Sequence, residues 1–299
     1  MTWYKQTWYH DPVMLQEVLE SIPDDCKTFM DGTLGHGGHS KVILEKFDWS
    51  NDFVIVGVDR DLNMMSKAKE RLAWFKNMKY VHSSYANLKA IAQESKIQKF
   101  DYMLLDIGVN MDHFKVADRG FSIKLNGPLD MRFDQTQGIS AAQRLKHASY
   151  QDILDVLTHE TDFSESLRLR LAKELSIAKR KQEFTTTLQL RERASTTWVS
   201  DKMLAVLFQT FRILVNNELK ELDTFLESFV TYLAPWGICG IMSYHSGEDR
   251  RVKFAFKELV DQWVWSLVNK KVITPHWKES KKNKAARSAK WRMFKKINS

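Results

Sequence analysis

"DGTLGHGGHS", Asp31 to Ser40, places four glycines within seven positions of a chain that has only 12 glycines in 299 residues. A turn needs one glycine, and a flexible linker would add serine and more glycine on both sides. Here the apolar residues Phe29 and Met30 lead in, and Val42, Ile43, Leu44 and Phe47 lead out at helical spacing. Strand, glycine loop, helix is the layout in which a backbone comes close to a ligand. Asp31 closes the strand, and a second acid, Asp59, ends the next apolar run, "DFVIVGVDRD", 20 residues beyond His39.

Those two acids decide which ligand the loop suits. A dinucleotide fingerprint would read G-x-G-x-x-G, but Gly35-His36-Gly37 is followed by Ser40 where the third glycine belongs. Asp59 is placed to accept hydrogen bonds from both hydroxyls of a ribose. Asp31 would repel a pyrophosphate at the mouth of the loop. It favours S-adenosylmethionine, which carries a sulfonium, an ammonium, and a carboxylate suited to a helix N-terminus. The competing reading is a glycine-rich turn with ordinary strand-end acids. His36 and His39 lack the Cys, Asp or Glu partners that would complete a metal site, so no metal is expected. His39 is expected to pack or hydrogen-bond at the start of the helix.

Working outward, residues 13–22 read as an amphipathic helix and Thr28–Asp31 as a short buried strand. Helix Ser40–Phe47, the strand ending at Asp59, helix Leu62–Phe75, a strand around "MKYVHSSY", a helix around Leu88–Glu94 and the strand "FDYMLLDIGV" follow. Strands apolar throughout, alternating with helices, imply a parallel sheet covered on both faces. From Asp112 to Ser200 only helical stretches appear. Alternation resumes with helix Leu204–Leu233, strand "GICGIMSYHS", helix Asp249–Leu267 and a late strand "SAKWRMFKKI". The expectation is one α/β domain formed by 1–111 and 201–299. A helical insertion, 112–200, interrupts it.

Composition agrees with such a domain: 43% hydrophobic residues supply a core and 27% charged residues keep it soluble. No apolar run approaches the roughly 18 residues of a membrane span. The first residues lack a signal-peptide apolar region, and Asp11 argues against a transit peptide. Two cysteines, Cys26 and Cys239, make no disulfide framework, which suits a reducing cytoplasm. From Lys270 to Ser299 there are eleven Lys/Arg against one acid, and from Arg168 to Arg193 eight against three. Either run is a candidate phosphate surface, with a solvated tail as the bland alternative.

"YMLLDIGVN" ends in Asp106, where an amino-group methyltransferase holds its acceptor. An exocyclic amine is a poor nucleophile because its lone pair is delocalised into the ring, so an acceptor that aligns it with the methyl–sulfur bond helps. Asp106 either plays that part or contacts the cofactor. Downstream, "ADRGFSIKLNGPLDMRFDQTQGISAA" carries Arg119, Asp130, Arg132 and Asp134. "SYHSGEDRRVK" offers His245, Glu248 and Asp249. There Ser243 or Ser246 caps a helix, or His245 lines a pocket for the target base.

With "DGTLGHGGHS", "VDRD", "LLDIGV", "RGFS", "GPLDMR", "FQTFRILVNNEL", "SYHSGEDR" and "ARSA" in order, the chain resembles the bacterial 16S rRNA (cytosine-N4)-methyltransferases, the RsmH/MraW family. The resemblance implies methylation of the N4 of a decoding-centre cytidine in small-subunit rRNA, with the base extruded from its stack. It also implies that the α/β domain is a Rossmann-like S-adenosylmethionine-dependent methyltransferase sheet and that the inserted helical domain, 112–200, recognises the substrate. The substrate is the rRNA or the assembling 30S subunit, and monomer and homodimer both remain open. It assigns cofactor contacts to Gly37, Gly38, His39, Asp59, Tyr85, Asp106 and His113. Asp106, Asp130 and His245 become catalytic candidates, and Arg119, Arg132 and Arg144 substrate-binding ones. Tyr85 stands where the family often has Phe, His113 where Gln is usual, Arg144 in place of Trp and Val206 in place of Arg. A DNA amino-methyltransferase would carry D/N/S-P-P-Y/F at the fourth strand, which Asp106-Ile107-Gly108-Val109 lacks. A small-molecule methyltransferase and an RNA-binding assembly factor without turnover are the other readings. Both cysteines lie outside the motifs, which counts against a cysteine-adduct route.

Overall fold

Strands apolar on both sides bury all their side chains only between two layers of helix, and the chain folds accordingly. The structure is a computed structural model that describes residues 12–47, 50–180, 184–261, 265–269 and 271–297. Strands β1 (Thr28–Asp31), β2 (Val54–Asp59), β3 (Met78–His82), β4 (Phe100–Asp106) and β5 (Leu233–Ser243) pair in parallel. β6 (Trp265–Leu267) and β7 (Lys290–Lys296) complete the sheet as antiparallel strands, in the order β3-β2-β1-β4-β5-β7-β6. From β1 the chain winds outward to β2 and β3, and from β4 it winds the other way. The carboxyl ends of these two central strands are therefore the switch point, where open α/β sheets bind ligands.

Alternation of side chains sorts the core into two halves. Phe29, Ile55, Tyr102 and Leu104 pack with helices α1 (Leu15–Ser21), α2 (Gly38–Lys46) and α3 (Leu62–Arg71). Tyr102 stacks on Phe29 with centroids 5.0 Å apart, and its hydroxyl shares a 2.6 Å hydrogen bond with Ser21 Oγ. Met30, Val56, Met103 and Leu105 face α4 (Leu88–Ser95) and two later helices, α10 (Glu218–Tyr232) and α11 (Ser246–Val260). A last short helix, α12 (Trp277–Lys282), precedes β7.

The chain divides into two compact units, one of residues 1–108 and 219–299, the other Val109–Glu218. The second unit holds α5 (Ala141–His147), α6 (Tyr150–Glu160), α7 (Glu165–Arg180), α8 (Thr187–Ser195) and α9 (Asp201–Asn216). Its core includes Phe121, Met131, Leu145, Leu157, Leu171 and Phe208. Ser140, Ser149 and Thr186 close capping boxes with Gln143, Asp152 and Gln189, satisfying the first amides of α5, α6 and α8.

The elements differ most from expectation in three places, besides α3, expected to reach Phe75, which ends at Arg71. The single helix expected over Leu204–Leu233 is α9 and α10, separated by Asn217 in the left-handed region at φ 51°. Asparagine tolerates that conformation and ends helices. The apolar face of α9 (Leu204, Leu207, Phe208, Phe211) belongs to the helical core, so the break in packing falls at Glu218 rather than near Ser200. The helix expected to reach Leu267 stops at Val260, and Trp265–Leu267 pair with β7 instead. β5 starts at Leu233, earlier than expected, with a register shift against Phe100 and Tyr102 and Trp236 at φ 65°. The expectations for the first eleven residues, and for Lys181 and Lys270 in the basic runs, lie outside the described residues. No helix among the described residues is long and apolar enough to cross a membrane.

Gly240 shows how tightly the sheet is filled: a Cβ there would lie 2.2 Å from the ring of fully buried Trp291 on β7. Gly240→Ala should therefore destabilise the protein by about 1–3 kcal/mol. Differential scanning calorimetry should show the melting temperature falling by roughly 2–4 °C per kcal/mol. An unchanged melting temperature would mean that the Trp291 ring moves aside.

Candidate active site

Within the sheet unit, three strand ends converge. β1 ends in Asp31, which is 2% exposed and accepts hydrogen bonds from Ser40 Oγ (2.6 Å) and Thr33 N–H (3.3 Å). Burial raises its pKa above the ordinary aspartate value, against the Ser40 hydroxyl and neighbouring His39. Gly32, next along, has no room for a side chain, since its Cβ would lie 2.3 Å from Leu105 Cδ2.

The glycine loop then bends into α2. Gly37 sits at φ 72° as the N-cap residue, a conformation that favours glycine, and no side chain caps this helix among the described residues. By contrast, Asp61 caps α3 and Asn87 caps α4 with their side chains. Gly38 lies against the Pro12 ring, 3.1 Å from where its Cβ would be. His39 is buried, its Nε2 2.9 Å from the Val13 carbonyl and its Nδ1 3.9 Å from Asp106 Oδ2. Asp59 at the end of β2 accepts the Gly35 N–H (2.7 Å) and the Asp61 N–H (2.8 Å), one on each carboxylate oxygen. The glycine loop and the β2–α3 turn are thus oriented by one carboxylate. Tyr85, in the loop between β3 and α4, is buried and meets Phe225 edge-on at 5.8 Å.

Asp106 stands at the end of β4. Its backbone N–H donates to Thr33 Oγ1 (2.7 Å) and its Oδ1 accepts the Tyr244 hydroxyl (2.6 Å). A quarter of the Asp106 side chain (24%) still reaches solvent. Desolvation by the surrounding protein raises its pKa, while His39 and the Tyr244 hydroxyl pull the other way. Burial likewise holds the Tyr244 phenol well above its ordinary pKa, so that hydroxyl donates. Sequence reasoning missed Tyr244, since a tyrosine closing an apolar strand reads as core. Its place between that strand and the polar "HSGED" was the available signal.

His245 belongs to α11. As N-cap residue it accepts the Glu248 N–H at Nδ1 (3.4 Å), and Glu248 Oε2 accepts the N–H groups of Tyr244 (2.9 Å) and His245 (3.3 Å). Capping by Ser243 or Ser246, as expected from the sequence, is replaced by His245 itself. Asp249 is held by Lys290 (3.1 Å) and Arg292 (2.7 Å) on β7; although burial works to raise its pKa, these partners lower it.

The other candidates lie in the helical unit. Asp130 receives Arg132 on both oxygens (2.9 and 2.8 Å). Burial opposes this ion pair, yet the carboxyl stays below the usual range. Arg119 is 5% exposed and its Nη2 donates to the carbonyls of Arg132 and Phe133, both at 2.9 Å. His113 is buried and stacks on Phe121 at 4.9 Å. Arg144 Nη2 lies 3.5 Å from Asn217 Oδ1. Asn216 spans the same segment, donating to Met131 O (2.7 Å) and accepting Phe133 N–H (2.8 Å). Asp130, Arg132, Ser140, Gln143 and Thr185 line an open groove of about 230 Å³. The structure thus brings Gly37, Gly38, His39, Asp59 and Asp106 together in one unit. It uses Arg119 and Asn216 to hold a loop in the other.

Known proteins resemble this sequence over nearly its whole length. The profile of the MraW methylase family matches residues 7–297. The ribosomal RNA small subunit methyltransferase H of Chlamydia felis is 34% identical over 299 residues, 97% of this chain and 98% of that protein. Its namesakes from Borrelia recurrentis and Halothermothrix orenii are 33% and 30% identical, over 97% and 96% of this chain and 98% of each. The glycine loop, its flanking acids and the Asp106 cluster are therefore features of a chain that belongs to the MraW methylase family.

Proposed function

We propose that this protein transfers a methyl group from S-adenosylmethionine to N4 of a cytidine in small-subunit ribosomal RNA. The observation that carries the reading is Asp106, fixed at the switch point by Tyr244, Thr33 and His39, beside a helix start that no described side chain caps. The residues present fit the cofactor. The amides opening α2 suit its carboxylate, Asp59 its ribose hydroxyls, and the acids Asp31 and Asp106 its cationic end. When bound, S-adenosylmethionine supplies an electrophilic methyl group. Asp106 accepts a hydrogen bond from the target amine and so turns its lone pair toward that methyl. As the nitrogen–carbon bond forms and the methyl–sulfur bond breaks, it offsets the positive charge developing on nitrogen and takes the proton that nitrogen sheds, passing it to solvent. Tyr244 keeps the carboxylate oriented and favours its ionised form. The small-subunit rRNA named for the relatives supports the substrate class. The exposed cations Arg170 and Lys173 of α7 suit phosphates, and Val109–Glu218 is the substrate-recognition part of the reading. Lys179, by contrast, donates to the Ala148 carbonyl at 2.6 Å. An rRNA substrate puts the protein in the cytoplasm.

Asp59→Asn replaces a charged acceptor of the ribose with a neutral one and should weaken S-adenosylmethionine about tenfold in a calorimetric titration. An unchanged affinity in the folded variant would move the ribose contact elsewhere. Asp106→Asn keeps one carbonyl acceptor and Asp106→Ala none. Single-turnover methylation at saturating cofactor should fall in that order, the alanine variant by about 2–4 kcal/mol in barrier. Parental rates in both would leave Asp106 as a binding residue only. The Tyr244 hydroxyl lowers the Asp106 pKa, so Tyr244→Phe raises it. Activity that needs the ionised carboxylate is lost as pH falls through that value, so the acid limb of the pH–rate profile should shift to higher pH. A limb that stays in place would separate Tyr244 from the reacting group.

A further inference from the structure

Between Lys271 and Lys290 the sequence has seven Lys/Arg and one acid, Glu279. The fold spends that acid internally: Glu279 Oε1 accepts the Met14 N–H at 2.8 Å, pinning α12 to the start of α1. What α12 and the 3-10 turn after it (Lys284–Ser288) present outward is cationic, with Lys278, Lys281, Lys284 and Arg287 all exposed. Among them stands Trp277, 64% exposed. An indole usually repays its size by burial, and here most of it faces water. Lys278 Nζ lies 5.8 Å from its ring centroid and the His276 ring 5.7 Å away, tilted by 42°. By helix geometry Trp277 and Lys281 are neighbours on one surface.

Exposed aromatic faces interleaved with cations are what a single strand of nucleic acid uses, its bases stacking and its phosphates pairing. A protein groove would call for a wider apolar patch with few charges at its centre. The position within the sheet unit also fits. Glu279 holds Met14 N–H, the preceding residue Val13 offers its carbonyl to His39, and His39 lies 3.9 Å from Asp106. The charge of Glu279 is also felt by the Tyr244 phenol. We infer that α12 and its following turn form a landing surface for a single-stranded segment of the RNA substrate, with Trp277 stacking on a base and Lys281, Lys284 and Arg287 holding phosphates. This rests on the RNA reading above and adds to it a second contact region, on the unit that carries Asp106.

The test uses the full chain and a labelled single-stranded RNA of about 12 nucleotides, within the site sizes of single-strand binders, with the same sequence as a duplex for comparison. Fluorescence anisotropy gives Kd across a salt series. Trp277→Ala should weaken single-strand binding roughly 5- to 100-fold with an unchanged salt slope, because stacking carries no counterion release. Trp277→Phe should restore most of it. Replacing Lys281, Lys284 and Arg287 by Gln should lower the salt slope by about 2, since each phosphate contact on a single strand contributes about 0.7. S-adenosylmethionine affinity, measured by calorimetry, serves as the folding control and should not change. Parental RNA binding by Trp277→Ala, or tighter binding of the duplex, would overturn the inference and leave the surface to a protein partner. Failure of the RNA reading itself looks different: the unaltered chain would then transfer no methyl group to small-subunit rRNA.

Discussion

Three carboxylates share the carboxyl end of β1, β4 and β5, and most of the catalytic unit is arranged so that they can be there. An ionised acid withdrawn from water costs several kcal/mol unless its oxygens find donors. Asp31 finds Ser40 and Thr33, Asp106 finds Tyr244, and Glu248 finds the amides of Tyr244 and His245. These donors come from α2, the glycine loop and the β5–α11 junction, so each element is tied to the others through the acids. Desolvation still raises the pKa of Asp31 and Asp106. A carboxyl with a raised folded pKa holds its proton longer in the folded chain than in the unfolded one. Stability therefore declines as pH climbs from the ordinary aspartate value through the raised one. The same desolvation disfavours the ionised carboxylates, and a sulfonium and an ammonium beside them would relieve it.

The sheet supplies the geometry that chemistry requires. With β1 and β4 adjacent and their crossovers winding in opposite directions, Asp31 pairs with Leu104 and Asp106 follows two residues on, while the loops after them part. Gly32 keeps Leu105 in contact with the loop, and Gly37 turns the chain so that α2 begins there. His39, one residue into that helix, reaches both Val13 and Asp106. Packing and site thus use the same residues.

Much of this was legible in the sequence because it depends on local pattern. Buried parallel strands are continuous apolar runs, and acids at their ends mark the ligand edge, which is how Asp31, Asp59 and Asp106 were found. What stayed hidden depends on partners distant in sequence. Trp265–Leu267 is a strand only because β7 lies beside it, and α9 and α10 look like one helix until Asn217 turns left-handed and Asn216 reaches Met131 and Phe133. His245 is open in the sequence between a pocket residue and a neighbour of a serine cap, and its own ring nitrogen accepts the Glu248 amide within a capping box. Arg119 and Arg132 are substrate-binding candidates through the resemblance, and the fold places one on backbone carbonyls and the other on Asp130. Tyr244 is the converse case: an apolar context hid a hydroxyl that only the position of Asp106 makes meaningful.

The most direct measurement starts from small-subunit rRNA of a strain lacking this protein, incubated with the purified chain and S-adenosylmethionine. The RNA is digested, and the nucleosides are separated chromatographically and identified by mass spectrometry. The expected result is N4-methylcytidine, formed at a single position and only when chain and cofactor are both present. Recovery of carbon-5-methylcytidine, or of no new methylated nucleoside, would contradict an Asp106-held amine as the methyl acceptor.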